Sequence, residues 1–233
     1  QTCALPISKR SSGIATGSHR AVEVGAGPFH LPGTLTVPEN PRGVVVFVHG
    51  SGSSRFSPRN TYVADALNDA GFATLLFDLL TEEQDADDRN VFDIHLLAER
   101  LVGVVEWLEG QEAIAGLPLG LFGASTGAAA ALVAAERLGP RVAAIVSRGG
   151  RPDLAGEALG FVGAPVLLVV GGNDTDVLAL NRIALTRLAG ESSLSVVPGA
   201  SHLFPEPGAL DRVVGLALDW FEARLADDRA AGG

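Results

Sequence analysis

The chain of 233 residues contains one cysteine, Cys3, and no methionine. A single thiol cannot build an internal disulfide framework. Long apolar runs are missing too. A membrane-spanning helix needs about 20 consecutive apolar residues, whereas the Ala- and Leu-rich stretch at residues 128–138 is shorter and carries Glu136 and Arg137 near its end. The five histidines are scattered, with no H-x-x-x-H or C-x-x-C pair, so no metal-ligand spacing is present. No G-x-G-x-x-G opens a βαβ unit and no glycine-rich loop leads into Lys-Ser or Lys-Thr, which argues against dinucleotide and P-loop sites. No cofactor and no metal are therefore expected. Basic residues are in deficit: 17 Lys+Arg against 27 Asp+Glu give a net charge of −10. An acidic surface argues against nucleic-acid and anionic-membrane partners, leaving a small molecule as the expected partner and a monomer or small homo-oligomer as the expected state.

The termini carry little pattern. Residues 1–19 are expected to be disordered or artefactual. Within them, Gln1-Thr2-Cys3-Ala4-Leu5-Pro6-Ile7 reads like the translated end of a sequencing adapter and is set aside from fold reasoning. The missing initiator methionine fits a truncated reading frame from an environmental assembly. No basic-then-apolar leader precedes Ser8, so a bacterial cytoplasmic location is expected. Residues 226–233 read as a frayed tail. Between them, residues 20–225 are enough for one sizeable α/β domain, and 47% hydrophobic content with 19% charge supports a real core.

Periodicity along that stretch alternates between strand and helix. Two short antiparallel strands are expected at 21–24 and 34–37, around a connection at 28–32. The β-branched run at 43–48 reads as a strand buried on both faces. A helix follows at 60–70, a strand at 73–77, an acidic loop at 81–90 and a helix at 92–109. Then come a strand at 117–122, a helix at 126–137, a strand at 142–146, a short helical or loop passage at 152–159 and a strand at 164–170. A helix at 177–188, a strand at 194–197 and a closing helix at 207–225 complete the pattern. Alternation of this kind implies right-handed βαβ units and a mostly parallel eight-stranded sheet with helices on both faces. Ligands in such sheets bind beyond the carboxyl ends of the strands.

The residues that carry chemistry fall at those ends. Gly123-Ala124-Ser125-Thr126-Gly127 is G-x-S-x-G between a predicted strand and a predicted helix, the setting of a nucleophile elbow. The pentapeptide alone is weak, since a chain with 29 Gly and 14 Ser has ~0.2 matches by chance; the strand–turn–helix context makes it specific. A serine hydroxyl needs a base within hydrogen-bond reach. His202, in Gly199-Ala200-Ser201-His202, follows the last strand and supplies the imidazole that most often serves as such a base. Asp174, in Gly171-Gly172-Asn173-Asp174, follows the strand before and is expected to orient the imidazole. Asp176 is the alternative acid and the better helix N-cap candidate. The small residues of His49-Gly50-Ser51-Gly52-Ser53-Ser54 let backbone approach a substrate carbonyl, so the N–H groups of Ser51 and Thr126 are the expected oxyanion donors, with Gly52 in reserve. His49 is expected to buttress this loop. Arg55, Arg59, Arg148 and Arg151 lie in loops at the expected rim. They are candidates to attract a substrate carboxylate or, alternatively, to form ordinary structural salt bridges.

With these motifs, residues 21–225 resemble the α/β-hydrolases, and specifically the small serine esterases related to dienelactone hydrolase. The resemblance implies the α/β-hydrolase fold and the triad Ser125, Asp174 and His202. Dienelactone hydrolase proper has a cysteine nucleophile, so Ser125 at that position favours simple ester hydrolysis. Some relatives carry a phosphoribosyltransferase domain in the same polypeptide, for which this chain has no room. Lipases and epoxide hydrolases usually insert a helical cap between the strands that here end at 146 and begin at 164. Only 17 residues lie between them, so no cap or a minimal one is expected, over an open site suited to short acyl esters or small lactones. The readings that stand beside a carboxylesterase are the same triad on another acyl group (thioester, peptide or peroxyacid), acyl transfer, and a non-catalytic ligand-binding protein that keeps the fold.

Overall fold

The computed structural model describes residues 15–225. The segments 1–14 and 226–233, part of the expected disordered start and the whole of the expected tail, lie outside the described residues. Eight strands form one sheet: Ser18–Ala26 (β1), Phe29–Val37 (β2), Val44–Val48 (β3), Ala73–Phe77 (β4), Leu119–Ala124 (β5), Val142–Arg148 (β6), Val166–Gly171 (β7) and Ser192–Val197 (β8). Their spatial order is β1-β2-β4-β3-β5-β6-β7-β8. β1 and β2 run antiparallel at one edge; every pairing from β4 to β8 is parallel. The expected mostly parallel eight-stranded α/β sheet is what forms.

The helices are Pro58–Asp69 (α1), Glu82–Asp85 (α2), Asp88–Val91 (α3), Ile94–Glu109 (α4), Thr126–Leu138 (α5), Thr175–Leu185 (α6) and Ala209–Arg224 (α7). α1 and α7 pack on one face of the sheet, around Val45, Phe47, Phe122 and Val146. α4 and α5 pack on the other, around Val46, Val48, Leu121 and Ile145. All five residues of β3 are buried, because helices cover both sides of the strand. Each such Val or Phe, removed from water, contributes about 1.5–3 kcal/mol of gross hydrophobic stabilisation. α1 starts where Ser57 Oγ accepts the Asn60 N–H and Pro58 stands in the first turn, as N-cap chemistry and the missing proline N–H require.

Three expectations need correction. The leading strands are longer than 21–24 and 34–37, and β1 starts at Ser18, inside the segment expected to be disordered. The register runs to Ala26 opposite Phe29, across a two-residue Gly27-Pro28 turn in which Gly27 takes a φ of 61°. Pro32 therefore lies inside β2. Its carbonyl accepts the Asp78 N–H at 3.0 Å, so its ring nitrogen faces the spot where β4 has just ended and little ladder is lost. The acidic stretch 81–90 is not a plain loop but two single-turn helices. Thr81 and Gln84 form a capping box and Asp87 caps the second turn. Finally, the N-cap of α6 is Asp174 rather than Asp176, although its side chain makes no capping bond.

The connection from β6 to β7, residues 149–165, holds only the 3-10 segment Pro152–Phe161, broken at Gly156. Among the described residues, this connection places no helical cap over the carboxyl ends of the strands. β3 has β4 on one side and β5 on the other, so the chain order reverses at β3. The crevice beyond the ends of β3 and β5 is the topological switch point, where open α/β sheets bind ligands. No helix among the described residues is long and apolar enough to cross a membrane.

Candidate active site

Ser125 stands between β5 and α5 with φ 50° and ψ −123°. Among the described residues only Ser125 and Phe204 combine a side chain with positive φ, a conformation that persists only when the surroundings impose it. The surroundings do so through contacts that leave no room for a side chain. A Cβ on Gly127 would lie 2.2 Å from the Val48 carbonyl oxygen and 2.4 Å from that of His49, and one on Gly123 would lie 2.5 Å from the Ala128 Cα. Both glycines of the pentapeptide are thus dictated by backbone approach. Gly50 does the same from the facing loop: a Cβ there would sit 2.9 Å from the Ser125 Cβ. The serine amide donates to the Arg148 carbonyl at 3.3 Å, and its carbonyl accepts from Ala128 at 3.1 Å and from Arg151 at 3.0 Å. The Ser125 hydroxyl itself has no hydrogen-bond partner among the described residues and is left half-exposed at the head of α5.

His202 and Asp174 come together across the ends of β8 and β7. The His202 Nδ1 lies 2.7 Å from Asp174 Oδ2, with the carboxylate 14% and the imidazole 38% exposed. Because this carboxylate accepts from the ring, Nδ1 carries the proton and Nε2 is left as the free basic nitrogen. The two loops are laced together. Asn173 donates its N–H to the Ala200 carbonyl at 2.9 Å and its Nδ2 to the Gly199 carbonyl at 2.8 Å, while the Gly172 N–H reaches the Val197 carbonyl at 2.8 Å. A Cβ on Gly171 would meet the Ala200 oxygen at 2.4 Å. Beyond the histidine, the Ser201 N–H donates to a Glu206 carboxylate oxygen at 3.0 Å, and Phe204, 2% exposed, pins the loop into the core. Gly149 lies between the serine and the base: it follows Arg148, which holds the Ser125 N–H, and a Cβ on it would sit 3.5 Å from the His202 ring. No hydrogen bond joins Ser125 to His202 in this ligand-free arrangement; such contacts commonly tighten only in the substrate complex. Asp176 is exposed in the first turn of α6 and is not brought to the histidine.

The loop after β3 is held from both sides. The Leu79 N–H donates to His49 Nε2 at 3.1 Å. A main-chain N–H can only donate, so Nε2 accepts and Nδ1 carries the proton, which it shares with the Gly50 carbonyl at 3.0 Å. Burial lowers the His49 pKa below its ordinary 6.5, against the opposing pull of the Gly50 carbonyl and of Asp78 and Asp85. Protonation would put two donors face to face at Leu79. Since the unfolded chain binds that proton and the folded one resists it, this contribution to stability is complete above about pH 6.5. It drains away as pH falls towards the lowered folded value. Urea unfolding of wild type and His49→Gln between about pH 7 and pH 5 should show a shallower loss in the variant; parallel slopes would remove His49 from the account.

Ser51 and Thr126 are adjacent, but not as two free donors. The Ser51 N–H is donated to Thr126 Oγ1 at 2.9 Å. The Thr126 N–H is one of the leading amides of α5 that have no helical acceptor, and Gly52 adopts a φ of 67° in an open position. The expected amides thus line one spot, with the Thr126 hydroxyl holding the Ser51 N–H at rest.

The four arginines do not form one rim. Arg55 is ion-paired with Asp78, and Arg151 makes a bidentate pair with Asp153 at 2.9 and 2.8 Å. These two are structural salt bridges. Arg148 and Arg59 have no carboxylate partner among the described residues. A cleft of about 400 Å³ beside the loop after β3 is lined by His49, Ser53, Arg55, Asp78, Glu82 and Asp85. A cavity of similar size, about 410 Å³, opens near Pro118 and Arg141 at the opposite end of the sheet; it touches none of the residues above, so cavity size does not mark the site. Asn173, Phe204 and Glu206 escaped the sequence reading, because their work is to hold backbone and hydrogen-bonded loops rather than to supply a recognisable motif.

A model of the dienelactone hydrolase family matches residues 31–214. The chain is 60% identical over 211 residues to Mycobacterium tuberculosis proteins that carry a provisional phosphoribosyl transferase name; the match takes in 91% of this chain and 48% of theirs. The chain thus spans about half the length of these curated relatives. A dienelactone hydrolase from Anabaena variabilis superposes with a TM-score of 0.86 at 52% identity, over 89% of this chain and 98% of that one. An alpha-beta serine hydrolase homologue from Coxiella burnetii, 21% identical, shares the fold with a TM-score of 0.71 over 89% of this chain and 99% of its own.

Proposed function

Because this chain belongs to the dienelactone hydrolase family, we propose that it hydrolyses ester bonds, with Ser125 as the nucleophile of a small-molecule carboxylesterase. The observation that carries this reading is Ser125, held at a φ of 50° at the head of α5 with a hydroxyl that caps nothing, together with His202 held against Asp174 at 2.7 Å. His202 Nε2 takes the Ser125 proton as the hydroxyl oxygen attacks the ester carbonyl. Asp174 keeps the other ring nitrogen protonated and steadies the imidazolium. Negative charge on the carbonyl oxygen is met by the Thr126 N–H and by the Ser51 N–H, the latter shared with or released from the Thr126 hydroxyl. Each such donor is typically worth about 3 kcal/mol in the transition state, and the amino end of α5 adds a favourable dipole. The imidazolium returns its proton to the departing alcohol. Water, activated by the same nitrogen, then releases the acid from Ser125. With no helical cap over the strand ends here, short acyl esters and small lactones fit better than long lipids.

The phosphoribosyl transferase name belongs to relatives more than half of whose length lies outside the match, and it offers no role for Ser125. The test is covalent labelling. A fluorophosphonate probe should modify the folded wild type at Ser125, as mapped by mass spectrometry, while p-nitrophenyl acetate turnover disappears in step. Turnover that persists through complete labelling, or a label on another residue, would overturn the assignment.

A further inference from the structure

The run Arg148-Gly149-Gly150-Arg151 is a strap tied to the nucleophile at both ends. The Arg148 carbonyl accepts the Ser125 N–H at 3.3 Å, and the Arg151 N–H donates to the Ser125 carbonyl at 3.0 Å. Between those ends, Gly149 takes a φ of 52° and donates its N–H to the Val169 carbonyl of β7 at 2.8 Å. A Cβ on it would sit 3.1 Å from the His202 carbonyl oxygen. Gly150 is the remaining fixed point: its carbonyl accepts Asn181 Nδ2 at 2.9 Å. A Cβ on Gly150 would fall 1.9 Å from Ser147 Oγ and 2.7 Å from the Ala128 Cβ, so the strap lies flat against β6 and α5. Each residue of the strap thus has its main chain bonded, and only the bond to Gly150 is supplied by a side chain. That side chain stands where folding gives little reason for an amide. Asn181 is 0% exposed, near the middle of α6. Its Nδ2 also donates to the Val177 carbonyl of the same helix at 2.8 Å, and its Oδ1 is buried without a partner. Burying an amide with its oxygen unpaired is costly, and a helix does not need one.

We propose that Asn181 is a positioning residue: by holding Gly150, it sets Ser125 against the His202–Asp174 pair. This role rests on the hydrolase reading of Ser125. The helix that carries Asn181 begins at Asp174, which meets His202. The Asn181–Gly150 bond therefore joins the helix of the acid to the strap that holds both main-chain groups of the nucleophile. The His202–Asp174 contact itself does not depend on Asn181, because Gly172 and Asn173 lace those two loops together directly. What Asn181 governs is the separation between the hydroxyl and the base. A misplacement of about 1 Å between reacting groups costs about 100-fold in rate. It weakens proton transfer in the transition state and leaves ester binding as it was, so the loss belongs to kcat rather than to KM.

The test uses Asn181→Asp, Asn181→Thr and Asn181→Leu in the whole chain. Aspartate keeps the shape but sets carboxylate oxygen against the Gly150 and Val177 carbonyls. The threonine hydroxyl can still donate to Val177, four residues back in the helix, as such side chains do, and has no second proton for Gly150. Leucine donates to neither. Each folded variant should lower kcat for p-nitrophenyl acetate by about 10- to 100-fold, with KM within about twofold of wild type. Fluorophosphonate labelling of Ser125 should slow by the same factor. The acid limb of the kcat/KM profile should stay at the wild-type pH, because the contact between His202 and Asp174 is untouched. In NMR-detected hydrogen exchange, the Gly149 and Arg151 amides should exchange faster than in wild type. A merely structural asparagine would lower the urea midpoint but leave kcat and the labelling rate of the folded protein unchanged. That result overturns the proposal, as does a loss confined to KM or a displaced acid limb. Failure of all three variants to fold would also make Asn181 structural and overturn it; otherwise any variant that folds decides. A wild type that neither turns over the ester nor takes the label sinks the hydrolase reading instead. Exchange at Gly149 and Arg151 then still decides whether Asn181 holds the strap: faster exchange in the variants upholds that hold, and equal exchange removes it.

Discussion

Ser125→Ala and His202→Ala should each lower kcat for p-nitrophenyl acetate by about 10⁴- to 10⁶-fold, and the double variant should lose little more than the worse single. In the proposed mechanism the two side chains act on one proton: without the base, the hydroxyl stays protonated, and without the hydroxyl, the base has nothing to activate. Their losses therefore overlap rather than multiply. The backbone gives an independent check that the protein is intact. Alanine keeps the β-carbon of Ser125 and hence its φ of 50°, so unfolding should change little. Ser125→Gly relieves that strain and should be more stable by about 1 kcal/mol while equally inactive. Such a result would be that of an elbow strained for chemistry rather than for folding. The measurement is kcat for wild type and the four variants, with urea midpoints for all five proteins. Losses that multiply, or an active Ser125→Ala, would mean that the two residues do not share a proton.

What was legible in the sequence was legible for steric reasons. Gly123 and Gly127 are absolute because backbone atoms occupy the space of their side chains, so the elbow announced itself. β3 and β7 are wholly apolar because both faces are covered, and the alternation with helices then set the sheet. Ser125, His202 and Asp174 could be placed because each follows a strand that such a pattern predicts. Local pairs were harder to weigh. The capping box at Thr81 and Gln84 was present as a T-x-x-Q spacing but was masked by the acidic run around it. The Gly27-Pro28 turn was hidden within the expected connection at 28–32, because a proline such as Pro32 fits a strand only where a ladder bond is not needed, and the early end of β4 supplies that place. The fate of the arginines was not legible at all. Arg55 finds Asp78 across 23 positions of sequence, and Arg148 finds only Asn60, 88 positions away. The same holds for Ser51, whose amide is engaged by a side chain 75 residues distant. Sequence periodicity places backbones, whereas these pairings depend on which loops fold over one another.

Asp174→Asn should lower kcat by about 10³- to 10⁴-fold with almost no loss of stability, and Asp176→Asn should leave kcat close to wild type. Both aspartates stand at the start of α6, and either side chain would suit a helix N-terminus. The structure separates their roles. Asp174 is the N-cap by position, yet its side chain makes no capping bond and instead meets His202 Nδ1 at 2.7 Å. Asp176 sits in the first turn and is exposed, where it favours the helix dipole by a few tenths of a kcal/mol. An asparagine at 174 fills the same volume, and at an N-cap it is as acceptable as aspartate. Its amide, however, can present an N–H₂ to the ring. That stabilises the tautomer with the proton on Nε2, so the nitrogen that would act as the base becomes a donor. The charge that steadies the imidazolium goes with it. The loss should appear in kcat rather than in KM, and fluorophosphonate labelling of Ser125 should slow in proportion. If Asp176→Asn were the damaging change and Asp174→Asn harmless, the acid would be the other residue, and the 2.7 Å contact would be no more than a surface pairing.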